Sequence, residues 1–188
     1  MSRTTASLFE FALLGLVHER QPCSGYDLRK VSAETPMSNF SDSPGSIYPA
    51  LARLERAKLI RGQVEKTRSV RRRKLFRLNA TGSRALKRWL RQPITPADMV
   101  RGMPELALRF AFLERVLGLK ACVPFLESLA NELTAYIPTL RKHLDIQRST
   151  NTLSASLAME CGVMGYESQL EWARLALDRV KRSRSRSS

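Results

Sequence analysis

Residues 43–60 read Ser43-Pro44-Gly45-Ser46-Ile47-Tyr48-Pro49-Ala50-Leu51-Ala52-Arg53-Leu54-Glu55-Arg56-Ala57-Lys58-Leu59-Ile60. Ser43 before Pro44 is a favourable helix start, and Ser46 offers a second cap one turn in. Pro49 costs little if the regular helix begins at Ser46, because its missing N–H then falls in the first turn, where no partner exists. Ile47, Leu51 and Leu54 recur at helical spacing and must face a core, which turns Gly45, Pro49, Arg53 and Arg56 outward. That outer face carries little bulk near its start, so the helix end can approach phosphates or base edges closely, and its amides attract anions. Taken alone, the same pattern also describes an ordinary amphipathic surface helix. The next twenty residues tip the balance. Residues 59–65 and 73–78 read as two strands, with Leu75, Phe76 and Leu78 supplying the alternation, joined by Lys66-Thr67-Arg68-Ser69-Val70-Arg71-Arg72. Cations at a hairpin tip bury little and repel one another, whereas contact with phosphates relieves that repulsion by releasing counterions. A capped basic helix followed by a basic hairpin is the layout of a recognition helix and a wing on DNA.

The charge distribution agrees. The 188 residues carry a net +15, but residues 1–92 hold 19 basic and 7 acidic groups (+12), residues 93–180 hold 9 and 10 (−1), and Lys181, Arg182, Arg184 and Arg186 add +4 at the end. Such asymmetry points to a nucleic acid or an anionic membrane surface at one end and a different task at the other. At 43% apolar, the chain can build one large or two small cores. Cys23, Cys122 and Cys161 are widely spaced and odd in number, so neither a disulfide framework nor a metal site is expected, and no cofactor is implied. The apolar run 8–17 contains Glu10 and lacks a small-residue cleavage site, so it does not read as a signal peptide. No segment reaches the roughly 20 apolar residues of a membrane span. A cytoplasmic protein with no membrane partner is expected.

Thr4 or Thr5 can cap a first helix to about Glu19, apolar nearly all round, and Ser24 a second to about Ala33. Residues 34–42 read as a loop, and Asn79 or Thr81 opens a fourth helix carrying Leu86, Trp89 and Leu90. Pro93 and Pro96 interrupt helical periodicity where the charge balance changes. Beyond them, helices are expected over 104–117, 121–147 (kinked at Pro138) and 153–181. The last of these carries Met159, Val163, Tyr166, Leu170, Ala173, Leu177 and Val180 in four-three spacing, a seam assigned to a second copy of the chain. The division is therefore a DNA-binding domain over 1–92, a linker over 93–103, a helical dimerisation domain over 104–181 and a flexible basic tail over 182–188. The fold class is mainly α: an N-terminal winged helix-turn-helix with a two-stranded wing, followed by an all-helical domain.

The wording of these elements resembles the PadR family of bacterial transcriptional regulators. The matching residues are Leu14-Gly15-Leu16, Ser24-Gly25-Tyr26-Asp27-Leu28, the 43–60 segment, Arg73-Lys74-Leu75-Phe76-Arg77-Leu78 and Thr81-Gly82, spanning about half the chain. The resemblance implies that Ser43, Ser46, Tyr48 and Arg53 approach DNA from the third helix, that Ser24 and Tyr26 support it at the backbone, and that Arg71, Arg72, Arg73 and Lys74 serve as wing contacts. The helices from about Pro104 resemble the longer dimerisation module found in part of that family. Two positions depart from the family pattern: Arg68-Ser69-Val70 stands where wings commonly carry Gly or Pro, and Asn79 where Thr is common. Asn is an equally good cap.

The reading is thus a sequence-specific DNA-binding regulator, a homodimeric repressor on an inverted-repeat operator. Trp89, Phe110, Phe112, Tyr166 and Trp172 are candidates for lining the pocket of a small-molecule effector between domains, although aromatics at helical spacing are more often core. A rival reading is a protein-interaction module with nonspecific nucleic-acid affinity. An enzyme is disfavoured, since His18, His143 and the three cysteines match no nucleophile or ligand spacing.

Overall fold

The computed structural model describes residues 6–34, 43–65 and 73–185, which fall into two compact units, residues 1–91 and 92–188. The first contains α1 (Leu8–Arg20), β1 (Cys23–Ser24), α2 (Gly25–Glu34), α3 (Pro44–Arg56), β2 (Ile60–Val64), β3 (Lys74–Leu78) and α4 (Ala80–Leu90). Its order is that of a winged helix-turn-helix. Ser7 caps α1: its hydroxyl accepts from the Glu10 amide at 3.2 Å while its own amide donates to Glu10 Oε2 at 2.8 Å. Thr4 and Thr5, the caps expected from sequence, lie outside the described residues. α1 runs through the middle of the unit, with Leu13, Leu14 and Val17 fully buried among residues that include Leu28, Ile47, Leu51, Leu54 and Leu86. Phe11 stacks on Trp89 of α4, ring centroids 4.7 Å apart and planes 4° from parallel.

The sheet is antiparallel in the order β1-β3-β2, and the wing register pairs Ile60 with Leu78, Gly62 with Phe76 and Val64 with Lys74. Its core face carries Ile60, Phe76 and Cys23. β1 leaves no mark in the sequence because two residues show no alternation. α3 starts at Pro44, two residues ahead of Ser46, so Pro49 lies inside the helix and withholds a donor from the Gly45 carbonyl. Both residues are exposed, so the loss occurs where solvent can compensate.

The second unit contains α5 (Pro96–Arg101), α6 (Met103–Leu117), a 3-10 turn (Leu119–Ala121), α7 (Cys122–Thr150) and α8 (Leu153–Ser185). The stretch expected to be a linker, 93–103, folds instead. Asp98 accepts from the Thr95 amide and hydroxyl at 2.7 and 2.8 Å to open α5, and Ile94 and Met99 are buried. α7 and α8 form an antiparallel pair, stitched by Glu127–Lys181 (2.9 Å), Arg141–Glu167 (2.6 Å) and Arg148–Glu160 (3.2 Å). α8 continues to Ser185, four residues into the stretch expected to be a flexible tail; residues 186–188 lie outside the described residues.

On α8, the stripe expected to meet a second copy already packs in part within the single chain. Val163 and Ala173 are buried within the single chain, the Tyr166 hydroxyl donates to the Met99 carbonyl at 2.6 Å, and its ring lies 5.3 Å from that of Tyr136. The stripe of Met159, Val163, Tyr166, Leu170, Ala173, Leu177 and Val180 therefore faces α7 and α5 of its own subunit. Four-three spacing identifies a packed stripe but not what packs on it. The opposite side of α8 exposes Leu153, Leu157, Met164, Trp172 and Leu175.

Two glycines should respond oppositely to the same substitution. A Cβ on Gly82 would fall 1.9 Å from the Leu59 carbonyl oxygen, a backbone atom that cannot step aside, so Gly82→Ala is expected to cost about 2–3 kcal/mol. Gly162 lies in α8 with nothing within 4 Å of the added atom, so Gly162→Ala should stabilise by about 0.5–1 kcal/mol. Urea denaturation of both variants checks the pair of signs.

Candidate nucleic-acid interface

Burial of Ile47, Ala50, Leu51 and Leu54 fixes the rotation of α3 about its axis. Gly45, Pro49, Ala52 and Arg56 then lie along its exposed face, flanked by Tyr48 on one side and Arg53 on the other. Tyr48 is 49% exposed, and its ring reaches the surface over Gly25, where a Cβ would meet Tyr48 Cε1 at 2.6 Å. Ser43 and Ser46 place their hydroxyls 3.0 Å apart at the helix start. Between α2 and this start opens a cleft of about 430 Å³ lined by Tyr26, Arg29, Lys30, Ala33, Ser43 and Pro44. The Arg29 guanidinium sits 5.2 Å from the centroid of the Tyr26 ring. Two cations, an aromatic ring and hydroxyls around an open cleft suit a phosphate or sugar edge. Arg29 and Lys30 were not among the residues expected at the site. Their signal was the spacing 26, 29, 30 and 33, which puts them on one helix face with Tyr26.

Three carboxylates brace α3 and the wing. Glu10 of α1, nearly buried, accepts from Arg53 Nε at 2.7 Å and ties α3 to the central helix. Asp27 of α2 accepts from Arg73 Nη2 at 3.1 Å and ties α2 to the wing just before β3. Glu55 of α3 accepts from Lys74 Nζ at 2.6 Å and from the Gly62 amide at 3.1 Å, bridging α3 to both wing strands. Gly62 makes this last arrangement possible, since a Cβ there would lie 2.7 Å from Glu55 Oε1. Burial pushes the Glu10 carboxyl up, but the Ser7 amide and the Arg53 guanidinium outweigh it and hold it below its ordinary value. Burial opposes ionisation of Asp27 too, and Ser24 and Arg73 overcome it. For Glu55 the Lys74 ammonium acts first, against burial and with help from the Gly62 amide.

The expected site residues thus divide into two groups. Tyr26, Ser43, Ser46 and Tyr48 gather on one surface at the start of α3. Arg53, Arg73 and Lys74 are held in internal ion pairs. Ser24 is 5% exposed and its hydroxyl donates to Asp27 Oδ2 at 2.8 Å, so it organises α2 and the wing base from within. Arg71 and Arg72 lie outside the described residues. Of the aromatics considered for an effector pocket, Trp89 and Phe112 are buried, while Phe110 packs edge-on against Trp172 at 5.3 Å and Tyr166 is bonded to Met99. Burial raises the Cys23 thiol to about 11, which keeps it protonated and unreactive. Among the described residues no cluster of His, Cys, Asp and Glu could hold a metal ion, and no helix is long and apolar enough to cross a membrane.

Residues 13–88 match the transcriptional regulator PadR-like family. No curated protein matches the chain. Among solved structures it is similar to Bacillus subtilis PadR in complex with operator DNA, at 19% identity over 93% of this chain and 99% of that one, with a TM-score of 0.43. It is also similar to a PadR-like transcriptional regulator from Bacillus cereus (21% identity, 96% and 99% covered, TM-score 0.40) and to Bacillus subtilis PadR in complex with p-coumaric acid (18%, 96% and 99%, TM-score 0.40).

The three bracing carboxylates make the winged unit acid-sensitive. Each has a folded pKa below its ordinary value of 4.5 (Glu10, Glu55) or 3.8 (Asp27), so its contribution is complete above those values and is lost as pH falls through the depressed folded ones. Urea melts are expected to be flat with respect to these groups above about pH 5 and to lose stability progressively below it. Glu55→Gln should lower stability at neutral pH and shrink the acid-dependent loss. An acid profile identical in Glu10→Gln, Asp27→Asn and Glu55→Gln to that of the parent would remove the braces from the energetics.

Proposed function

We propose that this chain, whose residues 13–88 match the PadR-like family of transcriptional regulators, is a homodimeric repressor whose α3 and wing bind an inverted-repeat operator. The observation that carries the reading is the surface at the start of α3, where a narrow face flanked by Tyr48 opens beside the cleft of Arg29, Lys30 and Tyr26. The narrow face suits insertion into a major groove, and the cleft suits the adjoining phosphates. Symmetric use of two copies calls for half-sites whose centres are about one helical turn apart, roughly 34–36 Å, or a multiple. The role is regulation by occupancy of DNA, in a family of regulators and not of enzymes.

The second copy is assigned to the outer side of α8. At about 100° per residue, Leu153, Leu157, Met164 and Leu175 fall within roughly 40° of one another, with Trp172 on the flank. All five are exposed, Leu153 at 76% and Met164 at 62%. A stripe of this size on a helix with its inner side already packed favours association with a copy. Relief of repression by a small effector is assigned to the exposed aromatic surface where Trp172 meets Phe110. The other reading, a monomeric module with nonspecific nucleic-acid affinity, places a different protein on the same stripe.

Selection of bound fragments from random DNA is expected to return an inverted repeat. Replacing Met164 and Leu175 with Glu should leave the fold intact, since both point to solvent, yet give a monomer by light scattering and weaken operator binding, because the added charges oppose burial. A full-strength dimer in that variant would place the interface elsewhere, and a monomeric parent would favour the module.

Fluorescence anisotropy on operator and scrambled duplexes separates reading from positioning. Tyr48→Ala and Arg56→Ala are each expected to cost about 1–3 kcal/mol on the operator and little on the scrambled duplex. Replacing Arg71 and Arg72 with Ala should weaken both and lower the salt slope by about one per lost phosphate contact. Arg53→Ala, which leaves Glu10 unbraced, is expected to lower the melting temperature and weaken both duplexes alike. A loss confined to the operator, with unchanged stability, would return Arg53 to base reading.

A further inference from the structure

Two residues on the exposed face of α3 are poor choices for a helix, and nothing inside the first unit calls for either. Pro49 lies within α3 and has no N–H, so the Gly45 carbonyl lacks the donor that residue 49 of a regular helix supplies. Gly45 weakens the helix in its own way, because glycine loses more backbone freedom on folding than any other residue. Its backbone does not require it, since Gly118 is the one glycine with a positive φ among the described residues. Packing does not require it either. A Cβ added at Gly45 would meet nothing closer than Ser43 Oγ at 3.9 Å, whereas at Gly25, Gly62 and Gly82 of the same unit it would come to 2.6, 2.2 and 1.9 Å from a neighbour.

Spaced four apart, Gly45 and Pro49 stand one turn from each other on the same side of α3, and both are exposed. Together they leave a backbone carbonyl that has no helical donor and no side chain on its own residue to keep another molecule away. Water serves it in the free chain. Once this face closes against a second surface, the carbonyl must be met by a donor, because an acceptor buried without one is costly. The side chains along the face cannot take its place: Gly45, Pro49 and Ala52 have no polar group, and Arg56 only donates. In a major groove the donors that such a carbonyl can meet are the base amino groups, N4 of cytosine and N6 of adenine.

We propose that the Gly45 carbonyl, bared by Pro49, is a base-reading acceptor that takes a hydrogen bond from the exocyclic amino group of an adenine or a cytosine. The assignment rests on the reading of α3 as the helix that enters the major groove. Each base pair shows one amino group there, so an acceptor at a fixed place reads which strand carries it and tells A·T from T·A, or C·G from G·C. Arg56 stands about 16 Å further along the helix axis and reads the opposite chemistry, the acceptors of a guanine in another base pair.

The test is a double-mutant cycle between protein and base. The full-length chain and its Pro49→Ala variant are titrated against the operator selected from random DNA, with each adenine of a half-site replaced in turn by purine and each cytosine by 2-pyrimidinone, bases that lack the amino group. At one position the parent is expected to lose about three- to tenfold in affinity, as for one hydrogen bond, while Pro49→Ala, whose new N–H occupies the carbonyl, loses nothing further there. Gly45→Ala, which sets a methyl group beside the carbonyl, should weaken the unmodified operator by keeping the base edge at a distance. Both variants are expected to melt above the parent, since each removes a helix-weakening residue, so neither loss can be traced to unfolding. Equal losses for parent and Pro49→Ala at every modified position overturn the proposal and leave Pro49 a contact of its ring alone. A Pro49→Ala variant that melts below the parent overturns it too, because α3 would then need the proline for its own structure. Failure of the underlying reading looks different: a parent that selects no sequence at all removes α3 from the major groove, and the role of the carbonyl with it.

Discussion

The carboxylate of Glu10 is shared between two tasks that would otherwise need separate groups. One oxygen takes the Ser7 amide and closes the first turn of α1, while the other takes Arg53 and fixes α3 against the helix at the centre of the unit. Because α1 is buried on several sides, this contact refers α3 to the most constrained element available. The partly buried site makes the pair more demanding than a surface salt bridge. Removing Arg53 leaves the Glu10 charge with desolvation that is no longer fully offset, whereas Arg53 itself is half exposed. Asp27 and Glu55 repeat the device at the wing, so α1, α2, α3 and β3 are linked through three carboxylates, each also bound to a backbone amide.

That design changes how the positive charge of the first unit is used. A basic surface built for a polyanion is self-repelling when empty, and pairing part of it internally reduces the repulsion while fixing geometry. Arg53, Arg73 and Lys74 serve the scaffold in this way. Under the proposed function, direct contact with the duplex falls to groups outside the braces, such as Arg29 at the cleft and Arg56 on the exposed face of α3. Net charge alone overstates the number of phosphate contacts for this reason, and the salt slope of binding is the better count.

Much of the first unit was legible in the sequence, because its signals are local. The stripe of Ile47, Leu51 and Leu54 fixed which side of α3 faces the core, and Asn79 caps α4 through Gly82 as a short polar residue at that position should. The alternation around Phe76 located the wing. Three features were not legible. β1 has only two residues, and its pairing with Phe76 and Leu75 depends on a strand about fifty positions away. α5 was hidden by two prolines that read as a boundary, although Pro96 occupies the first turn, where proline is tolerated. The paired states of Arg53, Arg73 and Lys74 depend on tertiary neighbours, and a motif match cannot tell a cation that reads DNA from one that braces the reader.

α8 shows the same ambiguity at the scale of a whole helix, since it has an apolar stripe on each side and only the contacts of α7 and α5 reveal which one is already used. The outer stripe of α8 is marked out by its physical character. An isologous interface sets a patch against itself, which suits an apolar stripe, because identical apolar side chains attract when desolvated. It would not suit a patch of like charges, which repel when two copies are brought together. The self-association proposed above is for this reason assigned to Leu153, Leu157, Met164 and Leu175. If copies pair through that stripe as proposed, the joining surface is apolar while the surface around α3 is polar and charged, so salt would weaken binding to DNA far more than pairing.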